Sequence, residues 1–481
     1  MHWRAILRLM GILLFLYSFS FIPSFFVSLY YDDAQSQSFL ASTAMTALLG
    51  VLFWFFNRRH PHELSVRDGF LFVALFWIIL GAVGAFPFLV GLHLNFTDAM
   101  FESFSGFTTT GATVIIGLDA LPRSILYHRQ QSQWIGGMGI IVWAVAILPL
   151  LGMGGMQLYR AEMSGVTKDE KLTPRIAETA RAFWLIYLSL TLACMVAYYL
   201  AGMPLFDAIG HAYATVATAG FSTHDASLAY FDSPLIESIA MFFMIAGSVN
   251  FAVHFFAWRH RQLSPYGKDF ELRAFLWILL ACILLVALTL WQTNTYATPL
   301  QALRHSAFQS VSIMTTCGFS TATFGEWPLH IPLVLIIVGF IGGCAGSTTG
   351  GIKVLRIILM AKMGLRQLYV LSHPQAYSVV KLGQRTVDDN VLFSVWGFYV
   401  LFILTALALT VLMMAAGLNL ETAFGATFAT LTLVGPGIGA VSSNFAGVSD
   451  NIKWLGIIGM LVGRLEVFTL LILFMPSYWR R

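Results

Sequence analysis

The chain has 481 residues, of which 58% are hydrophobic and 10% charged, with a mean hydropathy of +0.77. A soluble protein carries about 25% charged residues because its surface faces water, so this composition excludes a soluble enzyme and equally excludes a disordered chain. The net charge of +4 is small, and its placement matters more than its size. A membrane span takes ~20 residues plus a loop, so the length accommodates about ten spans. The four cysteines, Cys194, Cys282, Cys317 and Cys344, lie far apart and form no Cys-x-x-Cys pair. Neither a disulfide framework nor a zinc site is expected from them.

Met1 to Tyr30 opens with Arg4 and Arg8 and then runs apolar, but it is long and no clean small-residue cleavage site follows, so it reads as a retained helix rather than a cleavable signal. A second apolar run, Phe39 to Phe56, ends in Asn57-Arg58-Arg59 and completes a helical hairpin. Further apolar runs lie at 70–92, 134–158, 182–202, 235–258, 274–291, 331–362, 391–416 and 453–475, which makes ten spans. They must be helices, because hydrocarbon offers the backbone no outside partner. Of the 27 Lys and Arg residues, 22 fall in the termini and the connections 57–69, 159–181, 259–273 and 353–390. Arg123, Arg129, Arg304 and Lys453 fall on the other side, and Arg464 sits within the last span. The excess of positive charge places both termini in the cytoplasm. No cytoplasmic connection is long enough for a nucleotide-binding domain, so any nucleotide control belongs to a partner.

After the first hairpin the spans pair off four times, and each pair is joined by an outer connection holding a short semi-polar stretch that ends in a Thr/Gly turn. The turns are Thr108-Thr109-Thr110-Gly111, Thr218-Ala219-Gly220, Thr315-Thr316-Cys317-Gly318 and Thr432-Leu433-Val434-Gly435, about 100 residues apart. Self-similarity at a fixed period is the signature of a repeat architecture. The expected fold is an all-α integral membrane protein: four helix–pore-loop–helix repeats in a pseudo-fourfold arrangement around one pore, after a two-helix N-terminal extension. The boundaries expected are 1–66 for the extension and 67–165, 166–262, 263–372 and 373–481 for the repeats, the third carrying a Gly-rich intramembrane loop. A single Thr/Gly segment can serve close helix packing instead; four in step between spans favour re-entrant loops. Irregular backbone at membrane depth survives only where it lines a polar cavity. Rings of carbonyls there replace the hydration shell of a monovalent cation, as in potassium filters. The carbonyls of Thr109, Thr110, Thr218, Ala219, Thr316, Cys317, Leu433 and Val434, with Gly111, Gly220, Gly318 and Gly435, are the expected ion-binding set. Asp98, Asp207 and Glu421 sit at the starts of the short helices, where a negative charge is favourable; the third repeat has Arg304-His305 instead.

In the eighth span, Gly342, Gly343, Gly346, Ser347, Thr348, Thr349, Gly350 and Gly351 crowd one stretch, and each glycine costs a helix interior ~1 kcal/mol. That stretch is expected to unwind beneath the third turn and act as a gate, although a tightly packed Gly-rich helix has the same composition. No Gly-Lys-Ser/Thr occurs, which excludes a phosphate-binding P-loop. Arg464, near the middle of the last span, is expected to face the pore and oppose cation leakage, the alternative being a buried structural ion pair; Glu466, two residues on, points elsewhere on a helix. His211, His224 and Asp225 are expected at the mouth of the second turn. No acids, bases or metal ligands converge within the spans, so catalysis is not expected. Secondary transporters are built from inverted repeats, which the four parallel repeats disfavour.

Several longer strings make the chain resemble bacterial potassium-uptake subunits of the TrkH/TrkG type, in the Trk/Ktr/HKT superfamily. They are Thr108-Thr109-Thr110-Gly111-Ala112-Thr113, Gln133-Trp134-Ile135-Gly136-Gly137-Met138-Gly139, Gly154-Gly155-Met156-Gln157-Leu158-Tyr159-Arg160-Ala161-Glu162, Gly220-Phe221-Ser222-Thr223-His224-Asp225, Gly342-Gly343-Cys344-Ala345-Gly346-Ser347-Thr348 and Gly463-Arg464-Leu465-Glu466. The resemblance covers essentially the whole chain. It implies potassium as the transported ion and no covalently bound cofactor. It also implies a homodimer with one pore per protomer in the bacterial inner membrane, surrounded by lipid, with no nucleic-acid partner. A cytosolic TrkA-type regulatory subunit carrying the nucleotide would gate it. The fourth turn, Thr432-Leu433-Val434-Gly435, departs from the Asn-Asn-Leu-Gly usual in close relatives, and a third glycine often follows Ser-Thr in their Gly-rich loop. A less selective sodium/potassium-conducting member or a cation-coupled secondary transporter is the alternative.

Overall fold

The computed structural model describes residues 1–58, 65–146, 176–328, 330–376, 378–383 and 385–480. The second half of the 134–158 span, the Gly154–Glu162 string and the connection that follows lie outside the described residues. The extension consists of α1 (Trp3–Ser18), α2 (Phe21–Tyr31) and α3 (Ser36–Asn57), with α1 and α3 packed side by side. The expected hairpin is therefore present, its first arm bent at Phe19-Ser20. The main-chain N–H of His2 donates to Asp68 at 2.9 Å, and Asp68 forms a capping box with Ser65 at the start of the next helix. This ties the N-terminus to the first repeat.

The first repeat follows as α4 (Val66–Val83), α5 (Phe86–Gly91), α6 (Phe96–Phe107) and α7 (Arg123–Ala146). The second is α8 (Ile176–Leu200), α9 (Leu205–Val216), α10 (Pro234–Ser248) and α11 (Phe251–His260). The third is α12 (Phe270–Gln292), α13 (Pro299–Met314), α14 (His330–Ile341) and α15 (Val354–Ser372). The fourth is α16 (Asp389–Ala415), α17 (Leu420–Leu431), α18 (Asp450–Arg464) and α19 (Phe468–Leu471). Between the third and fourth repeats, Lys381–Leu382 and Arg385–Thr386 pair as a two-residue antiparallel ribbon. One large apolar core joins the second and third repeats, and another joins the extension to the first and fourth.

In every repeat the first helix, joined by α5 in the first repeat, is long and apolar enough to cross a bilayer. Outward faces such as Trp277, Leu284 and Leu288 on α12 are about half exposed or more. Contiguous apolar surface of that extent is unstable in water and is what lipid tails require, so the chain is a multi-pass membrane protein.

The second helices differ from expectation. The 235–258 run is two helices, α10 and α11, bent by 95° at Val249-Asn250. The 331–362 run is α14, an irregular loop and α15 rather than one span. The 453–475 run breaks after Arg464 with a bend of 107°. Arg464 is thus the last residue of α18, not the middle of a span. Glu466 is not helical: it and Val467 both have φ of +52°, the left-handed region that ends a helix. Each break occurs where backbone groups find partners inside the protein, the condition under which irregular chain survives at membrane depth.

Candidate functional site

The short helices α6, α9, α13 and α17 are buried on nearly all sides and end in the four Thr/Gly turns. Asn95, Thr298 and Asn419 cap three of them by accepting from the N–H three residues on, at 2.8, 3.3 and 2.9 Å. The C-terminal ends are built alike. Thr109, Thr218, Thr316 and Leu433 adopt left-handed φ of +58°, +49°, +54° and +61°. The next residue then donates back five positions: Thr110 to Ser105, Ala219 to Ala214 and Cys317 to Ser312 at 2.9 Å each, and Val434 to Ala429 at 3.1 Å. This is a Schellman closure, in which the left-handed position is normally glycine. Placing Thr there three times, a β-branched residue, costs of order 1–3 kcal/mol each, and strain of this kind concentrates at functional sites.

The glycine after each closure is again left-handed, with φ of +81°, +78°, +84° and +94° at Gly111, Gly220, Gly318 and Gly435. What surrounds these glycines closes a circle. A Cβ on Gly111 would collide with the Ala219 carbonyl oxygen, one on Gly220 with that of Cys317, one on Gly318 with that of Val434, and one on Gly435 with that of Thr110. First repeat meets second, second meets third, third meets fourth and fourth returns to first. The four turns therefore surround one axis, with main-chain oxygens packed between glycines that have no side chain to interpose. Above them opens a cavity of about 370 Å³ lined by all four glycines.

Beneath the turns lies the loop between α14 and α15. Its ends meet: Ile352 N donates to Phe340 O and Lys353 N to Ile341 O, both at 2.9 Å. Its middle docks on the bend between α10 and α11, where Cys344 N donates to Ser248 O at 3.0 Å and Gly346 O accepts from Phe251 N at 3.1 Å. Ser347, Thr348 and Thr349 are buried. Thr348 Oγ1 lies 3.0 Å from Thr218 Oγ1, and Gly350 N donates to Thr316 Oγ1 at 2.7 Å. A side chain on Gly350 would strike the Thr432 carbonyl. The loop thus touches the second, third and fourth turns from below. Arg464 reaches it from the fourth repeat, donating from Nη1 to Thr348 O at 3.2 Å, with its guanidinium 5.4 Å from the Trp77 ring of the first repeat. Its buried Nε and Nη2 have no partner among the described residues.

Four parallel repeats are thus closed around an axis of main-chain oxygens, with an unwound loop below. In comparison with known proteins, the family described as TrkH, cation transport protein, matches residues 35–481. The chain belongs to the TrkH family. It is 49% identical over 482 residues to the Trk system potassium uptake protein TrkH of Salmonella typhimurium, with all of both chains covered. It is 40% identical over 481 residues to TrkG of Escherichia coli, covering all of this chain and 99% of that one. The crystal structure of the potassium transporter TrkH from Vibrio parahaemolyticus superposes over 100% of both chains with a TM-score of 0.93 at 48% identity.

Around the upper cavity of this family member, His224 and Asp225 line the mouth as expected. His224 stacks on Tyr230, with ring centroids 3.5 Å apart, and hydrogen-bonds Asp119, whose carboxyl it holds below the usual carboxylate range. Asp225 accepts from Gly117 N at 3.1 Å and Leu118 N at 3.0 Å, joining the first and second repeats. His211 is not at the mouth. It is fully buried behind the second turn, 2.9 Å from Ser222 Oγ, because it lies on the inward face of α9. Among the described residues no three His, Cys, Asp or Glu side chains converge as a metal site. Arg304, which breaks the acidic pattern, ion-pairs with Glu237 at 2.7 Å and Asp232 at 2.9 Å, so it staples the third repeat to the second.

Several site residues escape a one-dimensional reading. Glu466 pairs with Arg356 on α15 at 2.6 Å, linking the break after α18 to the helix that leaves the loop. Arg129 and Lys453, which look like outer-loop charges, are buried partners of Glu102 at 2.7 Å and Asp98 at 2.6 Å. Arg129 also donates to Ser222 O at 3.2 Å. The available signal was an isolated charge in an otherwise weakly polar run. Replacing Arg129 by Met leaves the Glu102 carboxylate buried and unpaired, which costs about 3–5 kcal/mol. The expected result is a lower melting temperature of the purified protein, largely restored in the double variant Glu102→Gln/Arg129→Met; a single variant as stable as wild type would contradict it.

Proposed function

We propose that this chain conducts potassium ions inward across the bacterial cytoplasmic membrane, with both termini cytoplasmic, through a selective pore on the axis of the four turns. The carbonyls of Thr109, Thr110, Thr218, Ala219, Thr316, Cys317, Leu433 and Val434, with the four glycines, form the filter. The loop Gly342, Gly343, Gly346, Ser347, Thr348, Thr349, Gly350 and Gly351, held by Arg464, is the gate. The protein works as a homodimer under a cytosolic TrkA-type regulator that carries the nucleotide, and the pore repeats run from 67, 166, 263 and 373. It is not an enzyme.

The observation that carries this reading is the cyclic packing of each filter glycine against a carbonyl of the next repeat. Carbonyl rings at membrane depth can replace a cation's hydration shell, and the C-terminal ends of α6, α9, α13 and α17 aim the negative ends of their dipoles at the same region. The names of the relatives, potassium uptake proteins of the Trk system, support potassium as the ion. The deciding experiment is ion-replacement flux with the purified protein in liposomes. Potassium is expected to permeate in preference to sodium. Equal permeability would leave a nonselective cation pore, and solute-coupled uptake without uncoupled ion flux would favour a secondary transporter.

Arg464 supports the gate. A cation below the filter repels a permeating cation, and its bond to Thr348 O holds the loop in place. Arg464→Ala is expected to raise basal potassium flux severalfold, on the order of 1 kcal/mol of barrier, with selectivity unchanged. If the side chain were only structural, the variant would instead express poorly and melt early. Flux per folded protomer measured beside melting temperature separates these outcomes, and a well-folded variant with unchanged flux would sink the barrier role.

A further inference from the structure

The second filter turn is gripped by α7 of the first repeat in a way that no other turn is gripped among the described residues. Gln133 uses both ends of its amide: Nε2 donates to the Ala219 carbonyl at 2.6 Å, and Oε1 accepts from Phe221 N at 3.0 Å. One turn earlier on the same helix face, Arg129 donates to Ser222 O at 3.2 Å, and Gln130 Nε2 reaches Phe221 O at 3.4 Å. All three side chains are fully or almost fully buried. The carbonyls in the same place on the other turns, of Thr110, Cys317 and Val434, accept no side-chain donor among the described residues.

The repeats themselves show that this is an exception. Gln133 is the eleventh residue of α7; the eleventh residues of α10, α14 and α18 are Met244, Phe340 and Met460. In three of the repeats, the residue three positions on is a glycine that packs against the last carbonyl of its own pore helix: Gly136 on Phe107, Gly247 on Val216 and Gly463 on Leu431. These contacts fix the alignment. One position beside the turns is therefore methionine in the second and fourth repeats and a bidentate amide in the first.

We infer that Gln133 is a specificity-determining positioning residue of the pore, acting by tethering the Ala219 carbonyl so that it cannot follow a smaller ion toward the axis. This rests on the filter reading given above. A carbonyl has two lone pairs, so Ala219 O can hold the amide and still face an ion. Discrimination against sodium requires that the ring not contract around the smaller cation. Among the described residues three carbonyls of this layer have no side-chain anchor, whereas the fourth is also tied to a membrane helix. Without the tether, the ring adapts to sodium and the potassium preference falls.

The test uses the full-length protein in liposomes and reads the potassium-to-sodium permeability ratio beside melting temperature. Gln133→Met installs the side chain found at this position in two other repeats, with similar volume, and removes both hydrogen bonds. The ratio is expected to fall by roughly tenfold, in line with loss of one or two buried hydrogen bonds, while potassium flux persists. Gln133→Leu also removes both hydrogen bonds and adds no charge or donor, so the ratio is expected to fall there too; this variant carries the test if the Met variant does not fold. A wild-type ratio in either folded variant overturns the tether. Gly318→Ser is measured alongside. If it lowers the ratio and the Gln133 variants do not, only the tether fails; if all three keep the wild-type ratio, the filter reading fails with it.

Discussion

Gly318→Ser is expected to lower the preference for potassium over sodium by roughly one to two decades, about 1.4 kcal/mol for each tenfold. The glycine has φ of +84°, a region an L-residue enters only with strain. A Cβ there would run into the Val434 carbonyl oxygen and come within 2.8 Å of Pro436 Cδ. Neither neighbour can retreat easily. Val434 is fully buried, and its N–H is committed to Ala429 at 3.1 Å. The oxygen must therefore rotate, and the third and fourth repeats lose their register at one level of the ring. The defect would lie in the proposed filter and not in the scaffold, so the variant should fold and conduct. Relative permeability from ion replacement checks it, and an unchanged ratio in folded Gly318→Ser would remove these turns as the filter.

Excision of Gly342 to Gly351 is expected to raise potassium flux in the absence of any cytosolic partner by about tenfold or more, equivalent to ~1.4 kcal/mol or more of barrier. The geometry brings the two ends of the deletion together. The carbonyls of Phe340 and Ile341 already accept from the N–H groups of Ile352 and Lys353 at 2.9 Å, so joining Ile341 to Ile352 spans a gap that is nearly closed. What disappears is the proposed plug: the Thr348 contact with Thr218, the Gly350 contact with Thr316, the Arg464 bond to Thr348 and the backbone bonds to Ser248 and Phe251. The carbonyls of the proposed filter are untouched, so selectivity should survive. Uptake by liposomes of the deletion variant and the wild type, normalised to folded protein, checks this; a folded deletion that conducts no better than wild type would mean that the loop is not the gate.

Much of this was legible in the sequence. Hydropathy is summed along the chain, and lipid imposes its requirement on each span separately, so the first helices of the repeats could be marked without a partner in view. Gly111, Gly220, Gly318 and Gly435 stood out for a similar reason. A left-handed position that no side chain can enter recurs wherever the repeat recurs, and periodicity exposes it. The unwinding of 342–351 was visible because glycine's helix cost is intrinsic.

The breaks after Ser248 and Arg464 were not legible, since both lie in runs as apolar as an unbroken span. They are decided by what receives the exposed backbone: the loop from the third repeat at Ser248 and Phe251, and the ion pair of Arg356 with Glu466 after Arg464. Arg129 read as an outer charge because its partner Glu102 is 27 positions away, on another helix. Gln133 stood out only as the first residue of one family-like string, which says nothing of its partners; its proposed role depends on α7 lying beside the second turn. The sequence by itself determined that this is a four-repeat membrane protein with a Thr/Gly turn in each repeat, because burial in lipid and left-handed backbone are local demands on residue type. Only the tertiary structure decided that the turns close into one ring, which side chains hold them and where the second helices break, because each of those depends on groups that meet across repeats about 100 residues apart in the chain.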